Sequence, residues 1–464
     1  MFTSRGINLP ETTAAQVILL GSPLSAGQHL DALLQDKHQE LQRLTKRLEF
    51  MPSHDSLYLL RNVLSAPRLM YLLRTAPCTG SLELMKFDIV LRESLSITLN
   101  IDLDDDRWIQ ASLPVRWGGL GIRSVVSLAS SAYLASAAST KELTVSLLPP
   151  RLRDIADSGI ATATSAWIKL TTSQSSVIGP PSPAVSTLPL DSTTSCLPDS
   201  TVQRDWDSQV CEVQADQLLV NAYQSVVRAC LMASRSPGSG DWLGAMPLST
   251  IGLKLDNTSI RIAVGLRLGA PVVRSHICIC GATVLVNGHH GLSCRYGSGR
   301  HSRHNQVNEL LCRALVSAGS LATREPHSLC TNSGKRPDGV TQVPWNRGRC
   351  LAWDATCPDT FAASHILLSS TQSGSVAAAA ERKKCDKYAD ITAGVDFIPV
   401  AIETSGVWGE QALNFVKDIG RRLAATSHEP RSTMFLRQRI SMAVQRGNAF
   451  CVLDTLRRTA SVDY

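Results

Sequence analysis

The stretch "KRPDGVTQVPWNRGRCLAWDATC", residues 335–357, holds two carboxylates in contrasting settings. Asp338 follows Arg336 and Pro337 and precedes Gly339, whereas Asp354 lies inside LAWDAT. An apolar and basic hairpin between them would set the two acids on adjacent strands. A carboxylate between Leu351-Ala352-Trp353 and Ala355-Thr356 is partly desolvated, which costs several kcal/mol unless a cation or donor compensates. This stretch therefore predicts strands that present acidic groups to something positive.

Working outward, short β-like runs from residue 274 onward (TVLV, LATREP, CLAWDAT, FIPVAIET) alternate with helical stretches at 303–318, 376–392 and 409–425. That alternation is a mixed α/β pattern. The N-terminal side reads differently. Leu30, Leu33, Leu34, Leu41, Leu44 and Leu48 recur at helical spacing over 28–49, and helical stretches follow at 54–74, 81–99 and 125–139. Glycines in QASLPVRWGGLGIRS, 110–124, break the helical run. Residues 171–200 are dense in Ser, Thr and Pro and read as a disordered linker. A helix resumes at 205–234, and DWLGAMP, 241–247, turns the chain toward the α/β part. The expected class is α+β and multidomain: a helical bundle over 1–150, the linker, a helical connector over 201–273, a small Cys/His segment over 274–300, and an α/β domain over 301–464.

The 464 residues exceed what one core usually serves, so two or three domains are expected. Composition is ordinary for a globular chain, and no apolar run is long enough for a membrane helix. With no basic-then-apolar leader, the expected compartment is reducing, nuclear or cytoplasmic, and the 13 cysteines are expected as thiols or metal ligands. The formal charge is +7. Ten Arg or Lys against three acids lie between Arg274 and Cys350, so this one segment carries the whole excess. A basic, His- and Cys-rich segment in an otherwise neutral chain points to a polyanion, most often nucleic acid; a solvated surface is the plainer explanation. Arg295, Arg300, Arg303, His304 and Arg336 are the candidate contacts.

Within HICICGATVLVNGHHGLSC, the residues Cys278, Cys280, His289 or His290, and Cys294 supply three thiolates and an imidazole, a tetrahedral zinc set. His290 is preferred because His290-Gly-Leu-Ser-Cys294 leaves a turn on which both side chains converge. Four protein ligands would make the zinc structural. Cys-x-Cys is tighter than the usual spacing, and buried free thiols are the alternative.

The second candidate is the Asp338/Asp354 pair. Two carboxylates on a hairpin suit Mg²⁺, which prefers oxygen and keeps several waters, and a cation held this way serves phosphodiester hydrolysis. A lysine two residues beyond the second carboxylate is the usual third element, but Thr356 stands there. Lys384 and Lys387, three apart on the next helix, share a face and could replace it, or could simply be solvated. Arg303, His304 and Glu309 fall on a predicted helix, with Glu309 as an auxiliary acid. The acidic run IDLDDDRW, 101–108, reads instead as a helix N-terminal cap. There is no Gly-rich phosphate loop and no Ser/His/Asp arrangement.

In their order, QASLPVRWGGLGIRS, CICG, HGLSC, GRHSRHN, KRPDG, GRCLAWDATCPDT and ERKKCDKY resemble the C-terminal half of the polyprotein of non-LTR retrotransposons with a restriction-like endonuclease. The resemblance runs from about residue 20 to the end and rests on co-occurrence of motifs. It implies that 20–140 correspond to the thumb and connector behind a reverse-transcriptase palm, the palm itself being absent. It further implies a zinc knuckle of Cys278, Cys280, His290 and Cys294. An Arg-His-Asn element falls at Arg303, His304 and Asn305, and a PD-(D/E)XK-type site at Pro337, Asp338 and Asp354, with the lysine role displaced to Lys384 or Lys387. The implied activity is Mg²⁺-dependent nicking of target DNA, with element RNA a possible second ligand. The alternative is a catalytically inactive, element-derived nucleic-acid-binding protein.

Overall fold

The computed structural model describes residues 17–150, 157–172, 197–198, 200–326 and 336–456, with only the backbone at 392 and 393. The chain is an α+β protein, and no described helix is long and apolar enough to cross a membrane. Nearly all of the expected linker, 171–200, lies outside the described residues.

The chain divides into two compact units that interleave in sequence: 1–47, 60–93 and 122–217 form one, and 48–59, 94–121 and 218–464 the other. These units cut across the boundaries expected at 150 and 273. The first is helical. Helix Gln28–Leu48 buries Leu30, Leu34 and Leu41 as its spacing requires. Trp167 packs edge-on against Trp206 with centroids 5.5 Å apart, beside Leu134, Ala135, Ala163 and Val210. Asp88 caps the helix Val125–Leu147, accepting from the Val125 N–H at 2.8 Å. The expected helix over 54–74 is broken into Ser53–Leu59, a wide turn Leu60–Leu64, a 3-10 turn Ala66–Arg68 and Met70–Thr75. Pro67 accounts for the break, having no N–H to continue the ladder.

The second unit contains a four-stranded sheet: β1 (Ala322–Arg324), β2 (Gly339–Thr341), β3 (Leu351–Thr356) and β4 (Asp396–Ala401), hydrogen-bonded in that order. β1 and β2, and β2 and β3, pair antiparallel, while β3 and β4 are parallel. Pro399 is tolerated because β4 is an edge strand. Four helices surround the sheet: α1 (Gly299–Ser317), α2 (Ser375–Lys387), α3 (Glu410–Ser427) and α4 (Ser432–Asp454). On β3, Leu351, Trp353 and Ala355 alternate into a core with Val307 and Leu311 of α1, Phe415 and Ile419 of α3, and Ile440 and Val444 of α4. Asp354 therefore projects to the other face, where α2 crosses over between β3 and β4.

Two features of this unit escaped the sequence reading. Helix α4 is buried on nearly every side, so it shows no amphipathic stripe. The helix Asn257–Leu268 is similar, burying nine of its twelve residues. The acidic run behaves as expected: Asp104 caps the helix Asp105–Ser112, accepting from the Arg107 N–H at 2.8 Å.

Candidate metal centres

The first centre is built from one continuous stretch. A short ladder pairs His276–Ile277 with Thr283–Val284, and the one-turn helix His289–Ser293 follows. Together they bring the Sγ atoms of Cys278, Cys280 and Cys294 and the imidazole of His290 within 4.8 Å of one another. Cys278 and Cys294 are 3.7 Å apart, and Cys280 Sγ lies 3.2 Å from His290 Nε2. With Zn–S about 2.3 Å, tetrahedral sulfurs sit roughly 3.8 Å apart. This Cys3His cluster is thus a set that a zinc-like ion fits. Burial pushes the Cys278 thiol up to about 11, while a backbone hydrogen bond from Ala282 draws Cys280 down. A bound cation would relieve the cost of ionising such buried thiols.

The choice of His290 over His289 is decided by packing. The His289 ring stacks on Phe361, centroids 4.0 Å apart and 8° from parallel, and burial holds its pKa at about 4. His289 is a neutral wall beside the cluster.

The second centre is assembled from four elements. Asp338 directly precedes β2, Asp354 is the fourth residue of β3, His304 comes from α1 and Lys384 from α2. One donor atom each from His304, Asp338 and Asp354 lies within 4.8 Å of the others. His304 Nε2 is 2.8 Å from Asp338 Oδ2, which also accepts the Ala355 N–H at 2.7 Å. Asp354, only 3% exposed, accepts from Lys384 Nζ at 2.7 Å, with Lys387 Nζ at 3.8 Å from its other oxygen. The positive partner demanded by a buried carboxylate is supplied by α2. Burial works to raise the Asp338 carboxyl, yet the hydrogen bond and charge of His304, the Ala355 N–H and Lys384 outweigh it and hold the group below the usual aspartate range. The Asp338 hydrogen bond in turn raises His304 against the opposing effect of its burial.

The scaffold explains why these groups meet. Gly339 pairs with Trp353 across β2 and β3, and a Cβ at Gly339 would stand 2.0 Å from the indole. Only glycine lets the fully buried Trp353 fill the space behind Asp338. Asn308 of α1 accepts from Trp353 Nε1 at 2.6 Å and donates to the Asp338 carbonyl at 3.4 Å, tying helix to strand. Helix α2 is anchored by buried acids. Glu403 accepts the Ala377 N–H at 3.0 Å in its first turn, and its own Glu381 accepts the Ala412 N–H at 3.0 Å at the start of α3. Asn308, Gly339, Glu381 and Glu403 were not identified from the sequence. The signal available for Gly339 was its place after Pro337-Asp338; the buried acids gave none.

Other expected site residues lie elsewhere. Glu309 pairs with Arg313 at 2.5 Å and Arg324 at 3.1 Å and is not part of the cluster. Arg303 is corrected outright. It is 2% exposed and donates to Asn448 Oδ1, the Leu292 carbonyl and the Cys357 carbonyl at 2.8, 3.2 and 3.5 Å, so it cannot neutralise a DNA backbone. A Cβ at Gly447 of α4 would collide with its side chain at 2.5 Å. His304 is engaged with Asp338 rather than open to nucleic acid. Arg295 and Arg300 are exposed, the former over the Tyr296 ring at 4.9 Å, and Arg336 pairs with Glu325.

Neither a protein-family model nor a curated protein matches this chain.

Proposed function

We propose that the chain is a metal-dependent DNA endonuclease of restriction-like architecture, derived from the C-terminal half of a non-LTR retrotransposon polyprotein. The observation that carries this reading is the meeting of His304, Asp338 and Asp354 within 4.8 Å, with Lys384 2.7 Å from Asp354. Oxygens of Asp338 and Asp354 would hold Mg²⁺, whose octahedral ligands lie roughly 3 to 4.2 Å apart at Mg–O distances of about 2.1 Å. Bound there, the ion would supply charge for the scissile phosphate and lower the pKa of a water. His304 holds the Asp338 carboxylate in orientation through Oδ2. Lys384, 2.7 Å from Asp354, would take the part of the restriction-type lysine from α2, in place of Thr356 on β3. Its ammonium orients the attacking water beside Asp354 and stabilises the anion as water loses its proton. The water oxygen would bond to phosphorus in line, its proton passing to solvent, as the opposite P–O bond breaks and the leaving sugar oxygen takes a proton from solvent to become the free hydroxyl. The exposed Arg295 and Arg300 would meet neighbouring phosphates, so affinity should fall steeply with salt.

The test is nicking of supercoiled plasmid with Mg²⁺ by the wild type, Asp338→Ala and Asp354→Asn. Nicked circles from the wild type alone, abolished by chelator, support the reading. Equal product from wild type and variants removes these acids from the mechanism. Salt-sensitive binding with no Mg²⁺-dependent product would instead identify an inactive nucleic-acid-binding protein.

A further inference from the structure

Two ammonium groups approach Asp354, and the helix carrying both ends on a tyrosine whose side chain is completely buried. Resting on the nuclease reading above, we propose that Tyr388 is a positioning residue: it holds Lys387 away from Asp354 and pins the backbone leading into Asp338, leaving Lys384 alone against the Asp354 carboxylate. Its hydroxyl works in both directions. It accepts from Lys387 Nζ at 2.8 Å and donates to the Arg336 carbonyl at 2.7 Å, two residues before Asp338. The Lys387 ammonium lies 4.5 Å from the centre of the Tyr388 ring, beside its hydroxyl. The ring rests 4.8 Å from that of Phe397, which pairs with Ala352 of β3. One side chain thus ties Lys387 to the backbone two residues before Asp338 and to Phe397 of β4.

The chemistry gives this arrangement a purpose. Two ammonium groups closing on one carboxylate would neutralise it and compete with a divalent ion for its oxygens. A single lysine leaves the second oxygen available. Lys387 at 3.8 Å is near enough to close that gap once its hydroxyl partner is gone. Tyr388→Phe removes only that oxygen and keeps the buried ring.

The full chain and its Tyr388→Phe variant are compared in steady-state plasmid nicking over a Mg²⁺ series, with thermal melting to establish that both fold. The expected result is a fall of about tenfold in kcat with KM for plasmid within about twofold, since a misplaced group affects the reacting geometry more than binding. Half-maximal rate should need more Mg²⁺, and adding Lys387→Met to Tyr388→Phe should restore part of kcat. Wild-type kcat and Mg²⁺ dependence in Tyr388→Phe, or a double variant slower than the single one, overturns the inference and leaves the nuclease standing. A comparison free of any folding defect at the tyrosine uses the lysines: Lys384→Met should cost kcat at least about tenfold more than Lys387→Met, and equal losses overturn the inference. A wild type that binds plasmid yet never nicks it removes the nuclease reading and this inference together.

Discussion

The Cys3His cluster and the His304/Asp338/Asp354 cluster belong to one compact unit but solve opposite problems. The first brings three thiols and an imidazole, all from residues 278–294, within 4.8 Å of one another, and a metal held by all four would leave no position for a reactant. The second gathers carboxylate oxygens from the 338–354 hairpin and an imidazole from α1, and Lys384 of α2 places its ammonium against Asp354. A centre made from one local loop can hold a fold together, whereas a centre made from several elements depends on the fold being held already. The contrast orders the expected effects of perturbation.

The largest effect belongs to the closed cluster. A zinc-like ion bound there should stabilise the fold by at least about 5 kcal/mol, so a strong chelator, or Cys278→Ser, is expected to lower the midpoint of the second unit by roughly 10 °C or more. Metal analysis paired with calorimetry checks this, and an unchanged midpoint in metal-free protein would reduce the cluster to packed thiols. Next comes Asp354→Asn, which under the proposed nuclease function should slow nicking by about 10³-fold while leaving the metal content of the Cys3His cluster at the wild-type level. Loss of both at once would show that the two centres are not separable.

Arg303 sits between the two centres and sharpens the comparison. Its guanidinium joins the Leu292 carbonyl beside the Cys3His cluster to the Cys357 carbonyl just past β3. Arg303→Met strands those buried acceptors and should cost about 3 kcal/mol in denaturant unfolding. Because Arg303 is buried, the substitution should leave unchanged the salt dependence of the DNA binding proposed above; a reduced salt slope would make Arg303 a phosphate contact.

The difference between the centres also governs what the sequence revealed. The Cys3His ligands were legible because they are close in sequence and combine three thiols with an imidazole, although Cys-x-Cys is tighter than the usual spacing and left buried free thiols as the alternative. The turn leading to Cys294 favoured His290 over His289, and the stacking of His289 on Phe361 decides it. At the open centre, Asp338 and Asp354 stood out against their apolar surroundings, and Lys384 and Lys387 by sharing a helical face. What could not be read was how α1 and α2 sit on the sheet. That depends on Asn308 bridging to Trp353, on Gly339 making room for the indole, and on Glu381 and Glu403 capping helix ends, all contacts between segments far apart in sequence. Arg303 was misread for the same reason: a basic residue in a basic segment looks solvent-facing until α4 is folded over it.

A smaller, pH-dependent effect separates the centres again. In metal-free protein, Asp338 is held below its ordinary value of 3.8, so its contribution is present above that value and lost as pH falls through the depressed pKa. His304 is raised above 6.5, so its contribution is fully present below 6.5 and lost as pH rises through the raised pKa. The pair therefore stabilises most between pH 3.8 and 6.5. His304→Ala should flatten this maximum in a stability-against-pH series, and an undiminished maximum would place it elsewhere.

The smallest effect is expected at Glu309, and helix geometry gives the reason. Residues on α1 advance about 100° each, so Glu309 is rotated roughly 140° from His304, while Asn308, one place earlier, stays near the His304 face. Asn308 accordingly reaches Trp353 and the Asp338 carbonyl, and Glu309 turns to Arg313 and Arg324 on the half-exposed side. Ion pairs of this kind contribute less than about 1 kcal/mol, because water screens them and long side chains must be ordered to form them. Glu309→Gln should leave nicking within about twofold of wild type and unfolding within that same 1 kcal/mol. A loss of nicking comparable to that of Asp354→Asn would mean that α1 rotates toward the carboxylates when DNA binds, making the open centre one that its substrate completes.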